Sequence, residues 1–476
     1  MKFHALALVP SLLAASLASA MDAKAVTASI DATQARYEAL AKRIWDFAEV
    51  GYQETRSSQA LQDELKAAGF SVEAGVAGMP TAFVASYGSG KPVIGILAEF
   101  DALPGITQDA NPERKPLPEK GAGHACGHHL FGTGSTAAAI AVKEWLAATR
   151  AKGTLRLYGT PAEEGGAGKV YMVRGGLFED VDAVLHWHAA DRNDASPGSS
   201  LANKSAKFRF SGVSTHAAGA PERGRSALDG VEAMNHMVNL MREHVPEDTR
   251  IHYVITSGGS TPNVVPDFAE VYYYVRHPEP KQVAAIFERV VKASEGAALG
   301  TGTTVEHEVI HGVYATLAND ALAKAMDKNL RAIGGVTYTP EETAFAETLR
   351  KSFGPDAPPL ARAAEIDRFE AKEAGGSTDV ADVSWVVPTT GLRAATWVPG
   401  TPGHSWQAIA AGGTSIGAKG MLVAAKTLAL TAIDLFTDKA LLAAATAEHE
   451  KRVGPAFSYK ALVGDRLPPL DYRSKR

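Results

Sequence analysis

An α/β fold, in which a mainly parallel sheet is interrupted by a smaller inserted α+β unit, is what these 476 residues predict. Three observations carry the expectation. Short continuous apolar runs, the mark of strands buried on both faces, alternate with helical patterns over residues 92–191 and again beyond residue 392. Between them the pattern becomes β-α-β-β-α-β, the split βαβ order of a ferredoxin-like unit. The length, with 45% hydrophobic and 21% charged residues, supports a large core and exceeds one ordinary domain.

The elements follow in order. "MKFHALALVPSLLAASLASA" has one early lysine, an apolar stretch from Ala5 to Ala15, and Ala18-Ser19-Ala20 in a small-x-small arrangement. It reads as a secretory signal peptide over 1–20, which predicts an exported protein, periplasmic in a Gram-negative source. No later stretch has the ~18 uninterrupted apolar residues of a membrane span. The larger domain is expected over 21–201 and 315–476. "PVIGILAEFDALPG" (Pro92 to Gly105) begins as a buried strand and turns polar at Glu99 and Asp101. "GHACGHHLFGTGS" leads into the Ala-rich "GTGSTAAAIAVKEWLAA", whose small residues suit a helix packed close against a sheet. "GTLRLYGTPAEEGG" is a second strand with Glu163 and Glu164 past its tip, and "VDAVLHWHAAD" a third, ending in His186, Trp187 and His188. In α/β folds, ligands bind outside these carboxyl ends.

The inserted domain is expected over 202–314. "KFRFSG", "IHYVITSGG", "FAEVYYYVRH" and "TTVEHEVIHG" alternate as strands, while "RSALDGVEAMNHMVNLMREH" and "EPKQVAAIFERVVKASEG" have helical spacing. The larger domain resumes with the strand "LRAATWV" and the long apolar helix "GAKGMLVAAKTLALTAIDLF".

Charge and cysteine usage narrow the chemistry. A net charge of −5 without basic runs argues against nucleic-acid or anionic-membrane surfaces. Cys126 is the single cysteine, so an intrachain disulfide is excluded. It is either a small buried hydrophobe or a ligand. Cys126 and His128 are two apart, as are His186 and His188, a spacing that on extended backbone puts two side chains on one face. Thiolate, imidazole and carboxylate form the ligand set of Zn²⁺ and similar ions. On extended backbone Glu163 and Glu164 point apart, so one can bind metal while the other acts as general base. His404, in "GTPGHSWQ", could complete the site from the resumed domain. His186 reads as a packed strand histidine, and His124 and His129 as structural or as supports behind the ligands.

"AEFDALPG", "HACGHH", "PAEEGG", "STHAAG", "SGGSTPNVVPD" and "PGTPGHSWQ", in this order and spacing, resemble the M20 metallopeptidases and amidohydrolases, within them the aminobenzoyl-glutamate hydrolase branch. The resemblance implies two divalent ions, Zn²⁺ or Mn²⁺. It makes Cys126 a bridging thiolate, His128, Glu164, His188 and His404 further ligands, Glu163 the general base, and Asp101 the aspartate that orients a ligand. It makes the inserted domain a lid through which a homodimer or heteromer forms, with His216 holding the substrate carbonyl and Asn263 and Arg276 near the substrate. Two residues depart from the branch's usual pattern: His129 stands where Asp often follows the motif histidine, and Glu99 where Asp commonly precedes the orienting aspartate.

The expected activity is hydrolysis of the amide bond in N-acyl or N-aroyl amino acids, with p-aminobenzoyl-glutamate-type compounds foremost. A dipeptidase or aminoacylase of the same family, or a non-catalytic partner subunit, are the alternatives.

Overall fold

The computed structural model describes residues 23–373 and 375–473, so the leader read over 1–20 lies outside the described residues. The strands β1 (Ser71–Ala74), β2 (Phe83–Ser89), β3 (Val93–Ala98), β4 (Gly153–Gly159) and β5 (Ala183–Ala190) enter the larger sheet. The chain then leaves it for β6 (Ala202–Ser211), β7 (Arg250–Ser257), β8 (Phe268–His277) and β9 (Thr304–Val313), and returns as β10 (Thr389–Ala395).

The larger sheet runs in the order β1-β2-β4-β3-β5-β10. The pairings of β4 with β3, β3 with β5 and β5 with β10 are parallel, and those of β1 with β2 and β2 with β4 antiparallel. Every residue of β3 is buried, as a central strand covered on both faces requires. One face is covered by α1 (His128–Thr149) and, beside it, α4 (Ser415–Thr437). Glycines on these helices let the layers close: a Cβ at Gly134 would lie 3.0 Å from both Met421 and Trp187.

The segment from β6 to β9 folds as a separate antiparallel sheet in the order β7-β8-β6-β9, with α2 (Ala227–Met241) and α3 (Pro280–Thr301) packed on it. Its core, including Phe208, Phe210, Val271, Tyr273, Val283 and Phe287, is distinct from that of the larger sheet. Alternation along β6 and β8 puts Phe208, Phe210, Val271 and Tyr273 on the helix-covered face, and helical spacing puts Val283 and Phe287 of α3 against them.

Candidate metal centre

Past the carboxyl ends of β3, β4 and β5, three loops and the first turn of α1 converge. The expectation that Cys126 and His128 sit on extended backbone is corrected. Gly127, with φ +81°, turns the chain left-handed, and His128 is already the first residue of α1. Glycine makes that turn at little steric cost, and the turn brings thiol and imidazole to one side. Glu163 and Glu164 likewise lie in a turn, flanked by Ala162 (φ +58°) and Ala167 (φ +57°). His404 also has a left-handed φ, +58°. Non-glycine residues held there carry strain, and such strain clusters at functional sites.

The five residues expected as ligands come together. Cys126, His128 and His188 each offer an atom within 4.8 Å of the others, and so do Cys126, Glu164 and His404. Cys126 belongs to both groups. Its Sγ is 3.4 Å from His188 Nε2, and His404 Nε2 is 3.3 Å from Glu164 Oε1. His188 Nδ1 lies 2.8 Å from the Ala189 carbonyl, so a proton held there leaves the Nε2 lone pair aimed inward. Burial brings its pKa down to about 4, which keeps that ring neutral.

Asp101 ties the parts together. Its Oδ1 is 2.9 Å from His128 Nδ1, while its Oδ2 accepts the Glu164 N–H at 2.9 Å. Burial alone would raise the Asp101 pKa, but the charge and hydrogen bond of His128 hold it below the usual carboxylate range. Burial, then the charges of Glu99 and Glu164, push Glu163 well above that range, and burial followed by Glu164 pushes the Cys126 thiol up.

These groups fit divalent cations. Glu99 Oε2, His128 Nε2 and Glu164 Oε1 are buried without a hydrogen-bond partner. Among the described residues, Lys169 pairs with the carboxylates of Glu99 and Asp379, and Arg473 lies near those of Asp101 and Glu164 while donating to the Glu164 carbonyl. Buried carboxyls in such excess either hold protons or are completed by cations, and unpaired donor atoms facing one another suit the second.

The remaining expected residues lie elsewhere. His216 and Asn263 are exposed neighbours on the antiparallel unit, where the Ala217 N–H donates to the Asn263 carbonyl at 3.0 Å; neither enters the ligand groups. Arg276 is half-buried at the end of β8 and donates to Ser377 Oγ at 3.1 Å across to the larger sheet's side, rather than pairing with an acid on its own strand. His124 and His129 are buried on the Ile44 and Gly412 carbonyls, at 3.0 and 2.9 Å.

Sequence reasoning missed the residues that fix the Glu163-Glu164 turn. Glu54 is fully buried and accepts the Ala162 N–H at 2.8 Å, and burial, then Asp101, raises its pKa to about 8. The Tyr52 hydroxyl donates to the Gly166 carbonyl at 2.7 Å, while Tyr472 and Arg473 donate to that of Glu164. Lys169, fully buried between Glu99 and Asp379, also went unread. The one local signal was the run of small residues before it in "EEGGAGK", explained by the left-handed turn at Gly165 and by close packing at Gly166 and Gly168.

Comparison with known proteins agrees with this geometry. Residues 95–352 match peptidase family M20/M25/M40. Over 450 residues the chain is 42% identical to a p-aminobenzoyl-glutamate hydrolase subunit of Escherichia coli, covering 89% of this chain and 94% of that protein. It is 30% identical to the mouse Xaa-Arg dipeptidase, covering 87% and 88%. A crystal structure of an aminobenzoyl-glutamate utilization protein from Klebsiella pneumoniae shares the fold with a TM-score of 0.59 at 19% identity, over 85% of this chain and 97% of that one. The chain belongs to peptidase family M20/M25/M40 and is a hydrolase of amide bonds.

Proposed function

We propose that the chain is a dinuclear metallo-amidohydrolase whose preferred substrates are N-aroyl amino acids of the p-aminobenzoyl-glutamate type. The observation that carries the proposal is the membership of Cys126 in both ligand groups, as a bridging thiolate requires. His128 and His188 would hold one ion with it, Glu164 and His404 the other. Zn²⁺ or Mn²⁺ held there would polarise the scissile carbonyl and lower the pKa of a nearby water.

Glu163 then serves as general base. Its carboxylate, 4.0 Å from His128 Nε2, takes a proton from the attacking water as the new C–O bond forms, and returns it to the amine nitrogen as the C–N bond breaks. Asp101 keeps the His128 ring oriented while holding the Glu164 backbone, so base and ligands share one rigid frame. The Nδ1 of His216 accepts the N–H groups of Ala218 and Gly219, at 3.2 and 3.1 Å. That puts its proton on Nε2, free to donate to a substrate carbonyl oxygen when the antiparallel unit closes as a lid. Arg276 would grip a substrate carboxylate and Asn263 a polar group beside it.

The edge strand β7 exposes Val254 and Ile255, which supports self-association or pairing with a different chain through this unit. Export is consistent with the residue 1–20 pattern.

The test is metal analysis of protein purified without chelator, with release of p-aminobenzoate from p-aminobenzoyl-glutamate followed before and after metal removal. Two ions per chain and metal-restored turnover are expected. Faster hydrolysis of Xaa-Arg dipeptides would move the substrate assignment to the second reading, which the 30% identical relative supports. Material free of ions and indifferent to added metal would sink the mechanism.

A further inference from the structure

Glu99 has no part in the five-residue ligand set, yet its side chain is 1% exposed and reaches the same space. Its two oxygens are used unequally. Oε1 pairs with Lys169 Nζ at 2.6 Å, whereas Oε2 lies 3.1 Å from His128 Nε2 and has no hydrogen-bond partner. His128 Nε2 is also without a partner, while Nδ1 of the same ring is engaged by Asp101. Two buried ligand-type atoms left without hydrogen-bond partners 3.1 Å apart are the arrangement that a cation shared between them would complete. Glu99, His128 and Glu163 form a third group whose ligand atoms lie within 4.8 Å of one another, joined to the first through His128.

Lys169 is fixed in turn. Asp379 accepts its Nζ at 2.7 Å through Oδ1 and its backbone N–H at 2.9 Å through Oδ2, and all three side chains are buried. An ammonium held at both ends and pressed on one oxygen of Glu99 locks that carboxylate's rotamer and leaves a single oxygen free.

We propose that Glu99 Oε2 is an additional, monodentate ligand of the ion held by His128, and that Lys169, anchored by Asp379, is the residue that positions it. This rests on the dinuclear reading above and extends it. A further carboxylate oxygen raises the coordination number on the His128 side and makes that half of the site harder, which favours Mn²⁺ relative to a tetrahedral Zn²⁺ position. The other half, built from Cys126, Glu164 and His404, keeps its ligands unchanged. The two ions are therefore inequivalent.

The experiment compares Mn²⁺ binding, by electron paramagnetic resonance titration and elemental analysis, in wild type, Glu99→Gln, and the double variant Lys169→Met/Asp379→Asn. Glu99→Gln keeps the side chain's shape and leaves Lys169 paired with Asp379, whereas the double variant removes that pair together and strips Glu99 of the ammonium that holds its rotamer. Expected are two ions in the wild type, and in both variants weakening of one ion by about tenfold or more with the second retained. A change in the Mn²⁺ spectrum confined to the weakened ion is expected alongside. Two ions bound as tightly in Glu99→Gln as in wild type would overturn the inference while leaving the dinuclear reading standing. Failure of the wild type itself to bind ions would overturn both.

Discussion

The two sheets of this protein handle polar residues in opposite ways. At the carboxyl edge of the parallel sheet, Glu99, Asp101, His128 and Lys169 are almost wholly buried, and the backbone is left-handed at Ala162, Ala167 and His404. In the antiparallel unit the core includes Phe208, Phe210, Val271 and Tyr273, and most of the exposed large apolar side chains among the described residues, Val254 and Leu240 included, lie on its surface. One region spends stability on chemistry, and the other is packed for stability on one face and left available for contact on the other. Local rules of propensity and burial hold in the second and fail in the first, which is the expected signature of a functional site.

That contrast can be broken experimentally. The largest effect is expected at Glu163→Gln, which should lower kcat by ~10³-fold with thermal stability and bound metal unchanged, because the base acts in the transition state and little of the fold depends on it. Turnover close to wild type would remove Glu163 from the mechanism. Phe208→Ala, by contrast, should cost ~3–5 kcal/mol of stability, read by denaturant unfolding, because the ring is fully buried against Tyr273 and Phe287. Metal content of the folded fraction should stay as it was. A loss of metal there would mean that the two regions are not independent.

A smaller effect tests whether buried acids cost stability behind the site. Asp382 is fully buried, accepts the Tyr314 N–H at 3.0 Å and the Tyr459 hydroxyl at 2.6 Å, and is pushed by burial from 3.8 to about 7. The folded chain then holds this proton more tightly than the unfolded chain. Stability is thus highest at low pH for this group, falls as pH rises from about 4 to about 7, and is level above, a loss on the order of a few kcal/mol. Asp382→Asn mimics the protonated acid and should flatten that part of the Tm against pH curve. An unchanged curve would mean that the carboxylate is ionised without penalty. The smallest effect on fold or turnover is expected at Val254→Glu on the exposed edge of β7, which should change the sedimentation coefficient, if chains associate there, with Tm within a degree or two.

Much of the fold was legible in the sequence because its signals are local. The run "PVIGIL" is continuous because β3 is covered on both faces, and "FAEVYYYVRH" alternates because one face of β8 meets helices. The ligand positions were legible in part through the spacing of "HACGHH" and "PAEEGG". The reason offered for that spacing was wrong: both motifs are turns with left-handed residues, not extended backbone. Glu54, Lys169, Asp379, Tyr472 and Arg473 were illegible, since their positions next to the turn depend on contacts across 100 to 300 residues of chain, such as the 210-residue separation of Lys169 from Asp379.

What the sequence by itself determined is the order of strands and helices and the residue types gathered at their ends, because periodicity and donor chemistry are properties of short stretches. What only the tertiary structure decided is which of those groups share a dry space. Cys126 faces two sets of donors, and Lys169, of whose partners no short stretch gives any sign, is sealed between two carboxylates. Burial and mutual distance set the charge, the protonation and the unpaired lone pairs there, and neither exists until the chain has closed.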